Sequence, residues 1–331
     1  MPSKIVVIVG PNASGKSDFG VQLAKKIGGE IISADSRQVY KGLNIGSGKI
    51  TKKEMRGVPH HCLGIANPKK IFTALDFKKC AERAITDILS RGKTPIIVGG
   101  TGFYIDAALN RVKLGGVPPN RALRKKLINY STTKLLNYLT KLDPKRAKTI
   151  EQKNPRRLIR AIEIACAKHD SFRKHAYSSA GELLCSRRRT AQGFLKEHAL
   201  LNSSTGRGKK SKINKMAIVW LGIKRPQEEL KKRIHARLIK RLPRMIREVK
   251  KLNQQGLSWK RLFDLGLEYR YISFYLQKKL TKDEMTQKIL TESWHYAKRQ
   301  MTWFKRNKKI RWISTNKEAL RRAPIFNKSG I

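Results

Sequence analysis

The sequence predicts an α/β chain in which a parallel sheet flanked by helices is interrupted by a mainly helical, basic insertion. Three observations predict it. First, Gly10-Pro11-Asn12-Ala13-Ser14-Gly15-Lys16-Ser17 stands between an apolar run, residues 5–9, and an amphipathic one, residues 18–27. Strand, glycine-rich turn and helix in that order form the setting in which G-x-x-x-x-G-K-[ST] cradles phosphate, so the core is expected to be P-loop NTPase-like. Second, short apolar runs bounded by turn residues recur at 30–33, 95–98 and 216–223, separated by helical periods. That is the pattern of strands buried on both faces of a parallel sheet. Third, the charge is large and uneven. The 331 residues include 74 Lys and Arg against 23 Asp and Glu, a formal net charge of +51. Residues 1–110 hold 17 basic and 8 acidic side chains, so the other 221 residues hold 57 and 15. An excess of that size, concentrated in the second half, points to a polyanionic partner, with nucleic acid ahead of an anionic membrane surface.

Taken in order, each element has a local reason. In the phosphate loop Gly10 and Gly15 let the backbone wrap around an anion, and the amides at the helix start point at it. Lys16 adds a point charge, and the Ser17 hydroxyl suits Mg²⁺. Gly28-Gly29 ends the first helix, and the strand at 30–33 delivers Asp35-Ser36-Arg37-Gln38 to its carboxyl end. Ligands of open α/β sheets bind along that edge, so Asp35 reads equally as a functional carboxylate or as a turn cap. His60-His61 reads as structural or phosphate-facing, because neighbours in sequence point apart on a strand. Thr73 opens a helix whose apolar set is Phe77, Cys80, Ala81, Ala84, Ile85, Ile88 and Leu89, closed by Gly92. The strand at 95–98 then ends in Gly99-Gly100-Thr101-Gly102. A P-loop ATPase or kinase usually carries a metal-holding aspartate after such a strand, so nucleotide hydrolysis loses ground here.

Residues 111–119 form a Gly- and Pro-containing linker. Basic helices are expected at about 120–130 and 132–142, and a third capped by Asn154 with Pro155 at its first position. The third buries Leu158, Ile159, Ile162 and Ala165, while Arg156, Arg157 and Arg160 share the other side. A solvated basic face is the favoured reading of those arginines from the residues alone, and phosphate or base contact the alternative. Residues 168–215, with 12 basic and 3 acidic side chains, are read as a partly mobile basic segment. A strand at 216–223 returns to the sheet, and Pro226 starts a long helix through Leu252. Thr281 and Glu284 form a capping box for a last helix with Met285, Ile289, Ala297, Met301 and Phe304 inside. A short strand at 310–313 follows. The expected domains are 1–112 as catalytic core, 113–215 as insertion and 216–331 as the return to the core. The four cysteines show no C-x-x-C spacing, so neither a zinc ribbon nor a disulfide framework is expected. Strand-like sequence begins by Lys4 and no apolar run reaches 18 residues, so a cytoplasmic protein without leader or membrane span is expected.

Together these stretches resemble the tRNA dimethylallyltransferases, also called tRNA isopentenyltransferases or the IPP transferase family. The resemblance runs through Gly10 to Ser17, Ser33-Ala34-Asp35-Ser36-Arg37-Gln38-Val39-Tyr40, Asn44-Ile45-Gly46 and Gly99-Gly100-Thr101-Gly102-Phe103-Tyr104. It continues in Asp143-Pro144, Arg157-Leu158-Ile159-Arg160-Ala161-Ile162-Glu163, Gly266-Leu267-Glu268-Tyr269-Arg270 and Ala297-Lys298-Arg299-Gln300-Met301-Thr302-Trp303. It implies transfer of a dimethylallyl group from dimethylallyl diphosphate to N6 of an anticodon-loop adenine in tRNA, with Mg²⁺ held by Ser17. On that resemblance Gly10 to Ser17 grip a leaving diphosphate, Asp35 is the general base, Lys16, Thr101 and Arg237 complete the catalytic set, and Arg237 steadies the diphosphate. Asp35, Ser36, Arg37, Gln38, Thr101, Arg124, Arg156, Arg157, Leu158, Ile159, Arg160, Arg270, Lys298 and Arg299 fall in tRNA-contacting positions. The chain departs from the family pattern at Asn12 and Ser17, each a threonine there, and lacks the usual glycine before Met245. A monomer with no membrane partner is expected. A small-molecule or nucleoside kinase of the P-loop class is the alternative, followed by a non-catalytic RNA-binding protein.

Overall fold

The computed structural model describes residues 4–112, 114, 116–175 and 216–314. Six parallel strands form the sheet: β1 (Lys4–Val9), β2 (Gly29–Ala34), β3 (His60–His61), β4 (Thr94–Gly99), β5 (Ala217–Ile223) and β6 (Arg311–Ile313), in the order β3-β2-β4-β1-β5-β6. Parallel strands need crossovers: α1 (Lys16–Ile27) joins β1 to β2, the short α2 (Lys52–Met55) lies between β2 and β3, and α3 (Ala74–Ser90) joins β3 to β4. Both faces of the central strands are buried. Val6 and Ile8 of β1 pack with Phe19 and Leu23 of α1, whereas Ile5, Val7 and Val9 join the larger core with Phe77, Ile85 and Phe304. This explains the unbroken apolar runs. Thr73 caps α3 with a complete capping box, as Thr281 does for the long helix near the end.

The register places three loops together. Val9 of β1 and Ala34 of β2 both pair with Gly99 of β4. Residues 10, 35 and 100 therefore leave the sheet at one level, on the carboxyl edge. α4 (Gly102–Ala108) then closes over the β4 end.

The described residues fall into two units, one within 1–113 and 210–331 and the other within 114–209. The second contains α5 (Arg121–Leu127), α6 (Thr132–Leu142), α7 (Pro144–Thr149) and α8 (Pro155–His175) around Leu127, Leu135, Leu139, Leu158 and Ile162. α8 carries regular helix to His175, further than the expected start of the irregular segment at 168. The arginine run at 187–189 and the lysines at 209 and 210 lie outside the described residues. After β5 come α9 (Gln227–Gln254), α10 (Trp259–Leu265), α11 (Leu267–Leu276) and α12 (Lys282–Lys305). α9 passes through Pro243 unbroken, although proline removes one backbone donor.

Three expectations need correction. Cys62 and Cys80 form a disulfide with Cα atoms 6.2 Å apart. They lie 18 residues apart, and only the fold of the β3 end onto α3 brings them together. On α12 the inward position expected of Met301 belongs to Gln300, 5% exposed, with Met301 half-buried. Leu158 and Ile159, placed among RNA-contacting positions, are core residues of the second unit at 0% and 9% exposure, so their side chains brace α8.

Candidate active site

The phosphate loop is held open by contacts to its carbonyls. Gly10 crosses behind β5, where a Cβ would stand 2.6 Å from the Ile223 carbonyl oxygen. Gly15 takes φ 95° and Ala13 φ 60°, left-handed conformations that turn successive amides toward one side. Arg225 donates from Nε to the Ser14 carbonyl at 2.9 Å, and Arg233 to the Ala13 carbonyl at 2.9 Å. Carbonyls tied from outside leave the loop's N–H groups to a ligand, except those of Asn12 and Ser14, which donate to Gln300 Oε1 and the Pro11 carbonyl. Lys16 Nζ donates to the Pro11 carbonyl at 3.0 Å, across the loop. Burial pushes its ammonium down to about 8, with Asp35 opposing the shift and Arg237 adding to it. Lys16, Asp35 and Arg237 are thus within electrostatic reach of one another.

Asp35 does cap a turn. Its Oδ1 accepts from the amides of Arg37 at 2.8 Å and Gln38 at 3.2 Å. The two readings of this residue are compatible, since Oδ1 fixes the carboxylate while Oδ2 makes no hydrogen bond among the described residues. Thr101 ties the neighbouring strand end to the same turn: its Oγ1 accepts from Ser36 N–H at 3.1 Å, and its own N–H donates to the Ala34 carbonyl at 3.2 Å. Tyr296 of α12 lies close by, its phenol pushed up to about 12 by burial and the Asp35 charge while a hydrogen bond with Thr101 opposes the shift.

Gln300 joins the two loops. Its Oε1 accepts from Asn12 N–H at 2.8 Å and its Nε2 donates to the Gly100 carbonyl at 3.0 Å. A Cβ on Gly100 would stand 2.1 Å from that Nε2 and push the amide aside, while one on Gly99 would stand 2.1 Å from the Ala34 carbonyl oxygen, so the β4 end must be glycine at 99. Glu248 of α9 secures the next wall: it accepts from the amides of Asn44, Ile45 and Gly46 at 2.9, 2.6 and 3.0 Å, and from the Tyr269 hydroxyl at 2.8 Å. Gly48, at the end of that turn, packs on the guanidiniums of Arg237 and Arg241. Arg241 is pushed down to about 10 by burial, with Arg237 adding to the shift, and burial raises the Glu268 carboxyl beside them.

Of the residues singled out in the sequence, Gly10 to Ser17, Asp35 to Gln38 and Thr101 meet at this edge, and Arg237 is electrostatically coupled to it. Arg270 instead lies over the Phe263 ring at 4.3 Å and donates to the Phe263 carbonyl at 3.2 Å. Lys298 sits over Trp294 at 5.3 Å, and Arg299 over Tyr296 at 5.9 Å. In the second unit Arg124 is committed to Glu163, at 2.7 and 2.8 Å, and Arg160 donates to the same buried carboxylate at 3.0 Å. Arg156 and Arg157 remain exposed there. Gln300, Glu248, Tyr269 and Tyr296 were not singled out as site residues. For Gln300 a signal exists: with Ser293 it is a polar residue on the inward stripe of α12, where the helical period calls for an apolar one.

A family model described as IPP transferase matches residues 38–307. The chain is 35% identical over 328 residues to tRNA dimethylallyltransferase 1 of Geotalea uraniireducens, covering 98% of this chain and 96% of the relative. It is 36% identical over 325 residues to the tRNA dimethylallyltransferase of Staphylococcus aureus, covering 96% and 94%. Among solved structures, the tRNA isopentenylpyrophosphate transferase of Bacillus halodurans aligns with TM-score 0.62 and 32% identity over 94% of this chain and 90% of that one. A eukaryotic dimethylallyltransferase acting on tRNA shares the fold, with TM-score 0.72 at 24% identity over 97% and 77%.

Proposed function

The chain belongs to the IPP transferase family, and from that premise we propose that it transfers a dimethylallyl group from dimethylallyl diphosphate to N6 of an anticodon-loop adenine in tRNA. The observation that carries the reading is the meeting of a phosphate loop, a carboxylate and a glycine–threonine strand end on one sheet edge, with no acid following β4.

In this reaction the bond from the allylic carbon to the diphosphate oxygen breaks, and the electron pair leaves with the diphosphate. A bond forms from that carbon to N6, and the amine proton goes to Asp35 Oδ2. Lys16, Arg237 and the amides of the loop stabilise the charge that grows on the departing oxygens. Thr101 and the turn amides hold Asp35 in place without neutralising it. The adenine must leave its stack to reach this edge, as base-modifying enzymes require. Among the described residues no three His, Cys, Asp or Glu side chains gather as a metal cluster, while the Ser17 hydroxyl stands exposed in the first turn of α1. One hard hydroxyl ligand suits Mg²⁺, which takes its other ligands from phosphate and water. When bound there, the ion neutralises charge on the leaving group. Arg156 is free to meet RNA phosphates and the exposed Arg157 would exchange its ion pair with Glu151 for one, whereas Arg124 acts through Glu163 on the shape of its unit.

The test incubates purified protein with tRNA and labelled dimethylallyl diphosphate or labelled ATP, then digests the RNA to nucleosides. Label on adenosine from the prenyl donor is expected. Phosphate release from ATP with no prenyl transfer would sink the reading, and label moved from ATP to an added nucleoside or small-molecule acceptor would assign a kinase.

A further inference from the structure

The long helix α9 carries an unbroken basic stripe, of which the reaction uses only the first members. At about 100° per residue, Arg233, Arg237, Lys240, Arg244, Arg247 and Lys251 fall within roughly 80° of arc. Between residues 233 and 251 every position in that arc is Arg or Lys. Off the arc, the other exposed positions between 233 and 251 are His235, Ala236, Ile239, Pro243 and Lys250, of which only Lys250 is Arg or Lys. A general basic bias would spread the charges more evenly around the helix.

The stripe begins at the active site. Arg233 holds the Ala13 carbonyl of the phosphate loop, and Arg237 is the cation coupled to Lys16. From Arg237 to Lys251 it extends along the helix for about 21 Å at 1.5 Å per residue. Carboxylates stand near it at its start and at Glu248, which is engaged by other partners. Glu229 pairs with Arg233 at 3.9 Å, Glu54 feels the charges of Arg237 and Arg241, and Glu248 is consumed by three loop amides and Tyr269. Among the described residues Lys240, Arg244, Arg247 and Lys251 have no carboxylate within 4.0 Å, and all four side chains are exposed. Four cations at one-turn spacing, kept clear of acids and continuous with a diphosphate-binding centre, match a chain of phosphates better than an isolated anion.

We propose that Lys240, Arg244, Arg247 and Lys251 form a track for the sugar–phosphate backbone of the RNA whose base enters the active site. The proposal rests on the RNA-modifying reading and adds the surface that holds the strand beyond the modified nucleotide. Such contacts fix register and orientation and carry no sequence information themselves.

The experiment compares wild type with the quadruple variant K240Q/R244Q/R247Q/K251Q, and with a charge-matched control, K278Q/K279Q/K282Q/K288Q. The control lysines are exposed around the start of α12, about 27 Å of helix from Gln300 at 1.5 Å per residue. All proteins are checked for the wild-type thermal transition. Affinity for unmodified tRNA is then measured over a salt series. Loss of four phosphate contacts should lower the slope of log Kd against log salt by about 3, while the control keeps the wild-type slope. An unchanged slope in the stripe variant, or equal losses in both variants, would overturn the track. Loss of binding to phosphatidylserine vesicles with tRNA affinity intact would also overturn it, assigning the stripe to a membrane. If the stripe variant alone loses slope while the wild type transfers no prenyl group, the track is upheld and the function proposed above is overturned.

Discussion

The two ends of β2 carry two carboxylates treated in opposite ways. Glu30, at the amino end, is 2% exposed and is locked by Arg91 at 2.8 Å, Lys93 at 2.8 Å and His61 at 2.8 Å. The Arg91 hydrogen bonds hold its carboxyl far below the usual carboxylate range, with Lys93 and His61 adding to the effect. Asp35, beyond the carboxyl end, receives only neutral amide donors on one oxygen, although Lys16 and Arg237 are nearby. Where stability is the task, cations neutralise the acid. Where a proton must be accepted, dipoles position the acid and leave its second oxygen open. Among the cations, Arg91 and Lys93 at the amino edge are paired with Glu30, whereas Lys16 and Arg237 at the carboxyl edge have no carboxylate within 4.0 Å among the described residues.

Asp35→Ala should break the functional end most severely. Turnover should fall about 10²–10⁴-fold, the range for removing a general base, while tRNA affinity stays at the wild-type level. Single-turnover prenyl transfer and a binding titration check the two halves. Unchanged turnover would remove Asp35 as the base.

Glu30→Gln probes the other end. Replacing an ionised, hydrogen-bonded partner of two partly exposed cations should cost about 2–3 kcal/mol of stability. Turnover per folded molecule should be unaffected. Because folding depresses this carboxyl, its stabilisation is complete above the unfolded pKa of about 4.3 and is lost as acid protonates the folded group. Wild type should therefore lose stability more steeply than E30Q on acidification below that value. Parallel acid-unfolding curves would show that the ion pairs contribute nothing.

Lys16 gives a smaller, pH-dependent effect. With its ammonium lowered to about 8 in the ligand-free protein, kcat/KM for the prenyl donor should decline above pH 8, by about 10-fold at pH 9. Bound diphosphate favours the charged form, so kcat at saturating donor should hold to higher pH. Lys16→Arg removes the titration, and a descending limb retained in that variant would assign it to another group.

Much of this arrangement is legible in the sequence, for a physical reason. The strands of the sheet are buried on both faces and so read as apolar runs, and the phosphate loop needs glycines at fixed spacing. Thr73 and Thr281 announce their helices because a capping box is local chemistry. What escaped depends on contacts distant in sequence. Gln300 meets Asn12 across 288 residues, and Glu248 meets Ile45 across 203. Neither spacing is a motif. Cys62 and Cys80 pair for the same kind of reason, and Leu158 and Ile159 show the converse: a stretch, Arg156 to Arg160, can resemble an RNA-contacting motif while two of its five members build the core beneath the surface.

Asn12 yields the smallest expected effect and the finest probe of the cradle. Its backbone N–H is taken by Gln300 and its Nδ2 donates to the Ser293 carbonyl at 3.3 Å, leaving Oδ1 buried without a partner among the described residues. An orphaned acceptor is a poor neighbour for a diphosphate, whereas a threonine hydroxyl can donate to one. Asn12→Thr gives up one long hydrogen bond and relieves one unsatisfied oxygen, so stability should change by less than about 1 kcal/mol. If the threonine donates to the ligand, donor KM should fall up to about 5-fold, the worth of one neutral hydrogen bond. A rise in KM with unchanged stability would mean that Asn12 Oδ1 has a donor in the complex, and that the asparagine supports this chain's own grip on the leaving group.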